Sequence, residues 1–221
     1  MPLASLIGFL ALAILAGALA NVAAHRMRTG IWLYAVQSAI LALVAGLVGY
    51  QLREPHLYWV AGLVLLVKGF GIPRVMRYVM RQVEIRREVE SFLGIPSSLL
   101  VSAGLVALAY YAARSALGFG FDGMAQLPSD LLAVSLANVL VGFFIMINRK
   151  KALSQVIGLS VMENGLFLAA LTLTTGMPLI IEIGVFFELL MGVMLMGILI
   201  FKIQGSFHTI DTHAMHTLRD Y

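Results

Sequence analysis

The sequence predicts an all-α fold, a polytopic membrane bundle of about seven transmembrane helices with the N-terminus outside and the C-terminus cytoplasmic. Three observations carry this. The 221 residues are 61% hydrophobic and 12% charged, where soluble domains run about 45–50% apolar and about 25% charged. The apolar residues gather into seven long runs, and the basic residues gather between alternate runs. With a mean hydropathy of +0.95, the composition excludes a soluble globular enzyme and a disordered chain. The pI near 9.6 calls for no nucleic-acid partner once its charges are located.

The runs cover roughly 2–24, 31–52, 57–73, 92–113, 131–147, 152–173 and 179–201. Each is expected to be a helix, because lipid offers no partner to an unpaired backbone amide. The alternating polarity of a membrane barrel is absent. The first run has a leader-like Ala18-Leu19-Ala20. No Lys or Arg precedes it, and it exceeds the roughly 7–15 residues of a leader's apolar region, so it reads as a retained helix.

Orientation follows from the basic residues. Arg26 and Arg28 follow the first run, and Arg74, Arg77, Arg81, Arg86 and Arg87 follow the third. Arg149, Lys150 and Lys151 follow the fifth, and Lys202 and Arg219 the seventh. Twelve of the fifteen thus share one side; Arg53 and Arg114 take the other, and Lys68 lies within a span. The positive-inside rule makes the crowded side cytoplasmic, as an odd number of spans requires for opposite termini. Tyr50, Tyr58 and Trp59 at the outer boundary and Trp32 at the inner one read as interfacial anchors.

The chain divides into a three-helix unit (1–73), a basic linker (74–91), a fourth helix with its outer loop (92–130), a second three-helix unit (131–201) and a cytoplasmic tail (202–221). Within the linker, Val75, Val79, Val83 and Ile85 form a partial apolar stripe among charges. It reads as an amphipathic helix on the membrane surface or against a partner, or else as a solvated connector. A faint internal repeat aligns the openings of the second and sixth runs, and with them Lys68 and Glu188.

Four ionisable residues lie inside the runs: Lys68, Glu163, Glu182 and Glu188. Each costs about 2.5–3.5 kcal/mol at a helix centre, so such residues are functional candidates. At 1.5 Å per residue, Lys68 and Glu163 lie about 16 Å from their run edges and Glu188 about 14 Å, all near the midplane of a core about 30 Å thick. Glu182 is about 5 Å in, within reach of the headgroups. Glu163 and Glu188 fall on consecutive helices joined by Thr174–Pro178. Two carboxylates at one depth form either a proton relay or protonated interhelical glue. Ser160, Asn164 and Gln155 add polar atoms to the sixth run, and Ser160 shares a face with Glu163. Lys68 sits in Lys-Gly-Phe-Gly-Ile-Pro, which predicts a weakened or broken helix. It is expected to be neutral, paired with a carboxylate, or snorkelling to an interface.

There is no cysteine. His25, His56, His208, His213 and His216 fall in expected loops or the tail, and His213 and His216 alone do not make a metal site. No cofactor and no metal are therefore expected.

Three stretches resemble the K subunit of respiratory complex I. Arg149–Asn164, RKKALSQVIGLSVMEN, is similar to its basic turn and I-G-L-E-x-M-x-N helix. Phe187-Glu188-Leu-Leu-Met-Gly-Val is similar to its A-E-x-x-x-G-L helix, and Thr209-Ile-Asp-Thr-His to its N-I-D-S-V ending. The likeness covers residues 131–221. Extended by N-terminal helices, such a unit resembles the hydrogenase-4 component E family of formate hydrogenlyase-type hydrogenases. The resemblance implies a non-catalytic subunit of the bacterial or archaeal cytoplasmic membrane. Its partners would be antiporter-like and quinone-site-type membrane subunits, with a hydrogenase redox arm reached indirectly. It also implies a proton path through two glutamates. Glu188 matches the second; the first falls on Ser160, with Glu163 one turn further along. Rival readings are a subunit of a multi-subunit cation/proton antiporter, a structural anchor without an ion path, and a stand-alone transporter.

Overall fold

The computed structural model describes residues 3–82, 91–118 and 129–173, together with Gly192. Its helices are α1 (Leu3–Ala23), α2 (Met27–Leu52), α3 (His56–Val64), a π-helical segment (Leu65–Gly71), α4 (Ile72–Gln82), α5 (Ile95–Gly118), α6 (Ser129–Asn148) and α7 (Ala152–Leu173). The segments α3, π and α4 run on as one rod, so six helices among the described residues are long and apolar enough to cross a membrane. The chain has the architecture of an all-helical, multi-pass membrane protein, with no strand among the described residues. The expected seventh span, 179–201, lies outside the described residues, as do Glu182, Glu188 and the tail.

Helix ends depart from the apolar runs where polar residues extend them. The second helix starts at Met27 rather than near residue 31, because Arg28 and Thr29 form its first turn beyond the apolar stretch. His56, expected in a loop, opens α3. The third span continues to Gln82 instead of ending near residue 73. The expected weak point at Lys68–Pro73 is a π-helix: the Ile72 amide donates to the Val67 carbonyl five residues back. Proline lacks an amide hydrogen, and a π-turn absorbs that lost bond without breaking the helix. The rod then sets which face of α4 turns inward. Ile72, Met76, Val79 and Met80 are buried, while Val75 is half-buried. Of the stripe expected at Val75, Val79, Val83 and Ile85, Val79 is buried and Val75 half-buried on this helix, which packs on α2; Val83 and Ile85 lie outside the described residues.

Two helix pairs fix the bundle. α6 and α7 touch backbone to backbone. A Cβ on Gly158 would lie 2.7 Å from the Met146 nitrogen, one on Gly165 2.7 Å from the Val139 nitrogen, and one on Gly142 2.6 Å from the Met162 Cα. Small residues let helices approach this closely where lipid supplies no hydrophobic drive. α2 turns into α3 through Arg53, whose φ of 56° is the left-handed helix cap. Its neighbour Gly49 is needed there, since a Cβ would meet Leu57 Cβ at 2.8 Å.

Among the described residues, Arg28, Arg77 and Arg81 lie together where α2 begins, the end that also holds Arg149. The buried Arg149 guanidinium donates to the carbonyls of Asn21 (3.0 Å), Val22 (2.8 Å) and Ala24 (3.3 Å), where α1 ends. Burial lowers its pKa from the usual arginine value. Asn148 ties α5 to the same end: its carbonyl accepts from Phe92 N–H, and its side chain bonds Leu93 N–H and Ser98 Oγ. Arg149 is therefore a structural clamp as well as a positive charge. The aromatic anchors face outward, with Trp59 82% and Trp32 64% exposed.

Candidate functional site

Four rods each carry a polar interruption between two apolar stretches. On α2, Gln37 and Ser38 separate buried Tyr34 from Leu41. On the third rod, Lys68 separates Val64 from Ile72. On α6, Asn138 lies between Ala137 and Val141, and on α7 Glu163 and Asn164 lie between Val161 and Phe167. The apolar residues on either side form two separate core clusters. The polar residues make one layer between them, at mid-height of the bundle.

The charged half of the layer is Lys68 and Glu163. Lys68 Nζ lies 3.6 Å from Glu163 Oε2, with the side chains 1% and 8% exposed. The π segment carries Lys68 opposite α7, and its ammonium sits 5.8 Å from the centroid of the Phe167 ring. Phe167 is one turn beyond Glu163, on the same face, so α7 offers the ammonium both a carboxylate and an aromatic face. Opposite charges offset part of each other's desolvation cost, which neither residue would escape alone.

The neutral half is a hydrogen-bonded network. Gln37 Nε2 donates to the Ile14 carbonyl and to Asn138 Oδ1, both at 3.0 Å. Asn138 Nδ2 donates to the Val161 carbonyl at 2.9 Å. Asn164 Nδ2 donates to Ser38 Oγ at 3.2 Å and approaches Gln37 Oε1 at 3.4 Å. The network joins α1, α2, α6 and α7 and reaches the ion pair through the Glu163–Asn164 peptide. Ser160 Oγ and Asn164 Oδ1 are buried without a hydrogen-bond partner among the described residues. Buried polar atoms are rarely left so.

The structure thus brings together Lys68 and Glu163, with Asn164 and buried Ser160 on the same helix. It does not bring in Gln155, which is exposed at the start of α7 and donates to the Arg149 carbonyl at 2.9 Å. Glu182 and Glu188 lie outside the described residues. Gln37, Ser38 and Asn138 were not singled out by the sequence reading. Asn138 lies near the centre of the run 131–147, where the depth count that found Lys68 and Glu163 would also find it; Gln37 and Ser38 lie off the centre of 31–52 and come to mid-height because α2 starts at Met27.

No family model matches the chain. A protein of Mycobacterium tuberculosis described as uncharacterized protein Rv0085 is 29% identical over 195 residues, covering 88% of this chain and 87% of that protein. No solved structure matches. The similarity extends over nearly the full length of both chains, so it includes the helices that carry Lys68 and Glu163.

Chemically, the pair is neutral as a whole in two states: ammonium with carboxylate, or amine with carboxylic acid. Both states are compatible with burial, because neither leaves a net charge in the layer. Among the described residues no group of three or more His, Asp or Glu is placed to hold a metal ion.

Proposed function

We propose that the chain is a non-catalytic membrane subunit of a complex-I-like, energy-converting nickel–iron hydrogenase of the formate hydrogenlyase type. Its intramembrane charges, Lys68 and Glu163 together with Glu188, would serve proton translocation or redox coupling. The observation that carries this reading is the buried Lys68–Glu163 ion pair at mid-height. Pairing offsets only part of the desolvation cost of two buried charges, a cost that a simple anchor has no need to bear. The π-helix at Lys68 adds to it, since π segments concentrate at functional sites.

The resemblance of residues 131–221 to the complex I K subunit supplies the type of complex, and the N-terminal helices argue against a small antiporter subunit. In this reading the basic end of the bundle faces the cytoplasm of a bacterial or archaeal cell, and the N-terminus lies outside. The partners are antiporter-like and quinone-site-type membrane subunits.

The test is affinity purification of the full chain from native membranes in mild detergent, with partners identified by mass spectrometry. Hydrogenase large and small subunits with antiporter-like membrane subunits are expected. Recovery of cation/proton antiporter subunits alone, or of the chain alone, contradicts the reading.

A further inference from the structure

At the basic end, α2 and α4 enclose a cavity of about 310 Å³. Arg28 comes from the first turn of α2, and Arg77 and Arg81 from successive turns of α4. The apolar wall is Ile31, Trp32 and Met80. Ile31 and Met80 are buried, whereas Trp32 is 64% exposed and opens the cavity to the bundle's outer surface. Among the described residues no carboxylate lines it.

Three guanidinium groups around one cavity repel each other, and a single anion between them removes that repulsion. All three are arginines, whose planar forks bind phosphate oxygens in pairs, which a lysine does not do. The volume is about ten times the ~30 Å³ share of a water molecule, enough for a headgroup. Trp32 sits where an amphipathic ring marks the headgroup level. The occupant must therefore present a phosphate to the arginines and a hydrocarbon chain to Trp32 and Ile31. A free phosphate satisfies only the first half.

We infer that the Arg28–Arg77–Arg81 cavity is a binding site for the headgroup of an anionic phospholipid, seating one lipid between α2 and α4. Because α4 continues the rod that carries Lys68, the lipid braces that rod against α2 without touching the ion pair. The site is independent of the redox complex proposed above.

The experiment uses the full chain in detergent with mixed micelles of phosphatidylglycerol and phosphatidylcholine, read by native mass spectrometry. Expected is a preference for phosphatidylglycerol of about tenfold or more. Arg77 also donates to the Pro73 carbonyl, so the variant chosen is R28Q/R81Q, which spares it. That double variant should lose most of the preference at unchanged thermal unfolding, while R74Q, outside the cavity lining, should keep it. Equal retention of the two lipids by the unmodified chain overturns the site, and this outcome needs no variant to fold. An unchanged preference in R28Q/R81Q overturns it too. Displacement of the lipid by millimolar inorganic phosphate shows a soluble-anion site and overturns the lipid assignment.

Discussion

Lys68 and Glu163 come from different helices and meet with 3.6 Å between ammonium nitrogen and carboxylate oxygen, both nearly inaccessible. Each side chain was costly on its own helix; together they form one site. The first consequence is energetic coupling. K68M leaves a carboxylate without its counter-ion, and E163Q leaves an ammonium in the same position. Each single change should cost about 3–5 kcal/mol, the usual loss when one half of a buried pair is removed. The double variant K68M/E163Q should cost clearly less than the sum. Thermal or denaturant unfolding of the purified chain in detergent measures the cycle, and simple additivity would show that the pair contributes nothing as a pair.

The neutral network should behave differently from the pair. Gln37 bonds the α1 backbone and Asn138, and lies against Asn164. Q37L strands several of these groups and should cost about 2–3 kcal/mol. S38A removes one acceptor of the Asn164 amide and should cost about 1 kcal/mol. Unfolding midpoints ordered the other way would show that Ser38 anchors the layer.

Much of this was legible in the sequence. Counting residues from the run edges placed Lys68 and Glu163 at one depth, because helical rise converts sequence distance to height. A carboxylate partner for Lys68 was among the expected outcomes, since an ammonium in lipid needs one. Which carboxylate it was depended on which helices are neighbours, and no residue encodes that locally. Gln37 and Asn138 belong to no motif, and their partners are on other helices. Arg149 shows the same limit: in sequence it is one of three basic residues in a row, and only the packing of α1 against α6 turns it into a carbonyl clamp. The inward face of α4 takes in Ile72, Met76 and Met80 beside the expected Val79 because the π segment carries the third rod past Pro73.

That clamp distinguishes Arg149 from its neighbour. R149M leaves three carbonyls at the end of α1 without their donor and should cost about 3 kcal/mol. Lys150 is exposed and only stands 5.1 Å from the Phe92 ring centroid, so K150M should cost under about 1 kcal/mol. Melting curves of the two variants separate a structural clamp from a topology charge.

The glycines of α6 and α7 should be intolerant where their backbones touch. G158L forces a side chain into the Met146 backbone and should cost about 3 kcal/mol or more. G104A, on an exposed face of α5 with nothing within 4 Å, should be neutral or gain up to about 1 kcal/mol from helix propensity. Similar melting points for both would mean that α6 and α7 are not in backbone contact.

The central claim is that the Lys68–Glu163 pair moves protons or couples their movement to the redox reaction. Its most direct test is proton movement driven by the redox reaction in membrane vesicles carrying E163Q, with assembly of the complex checked by co-purification. A fully assembled complex whose proton movement falls by at least about tenfold is the predicted result. Wild-type proton movement in a fully assembled E163Q complex would contradict the account and leave the pair as a structural element of a membrane anchor.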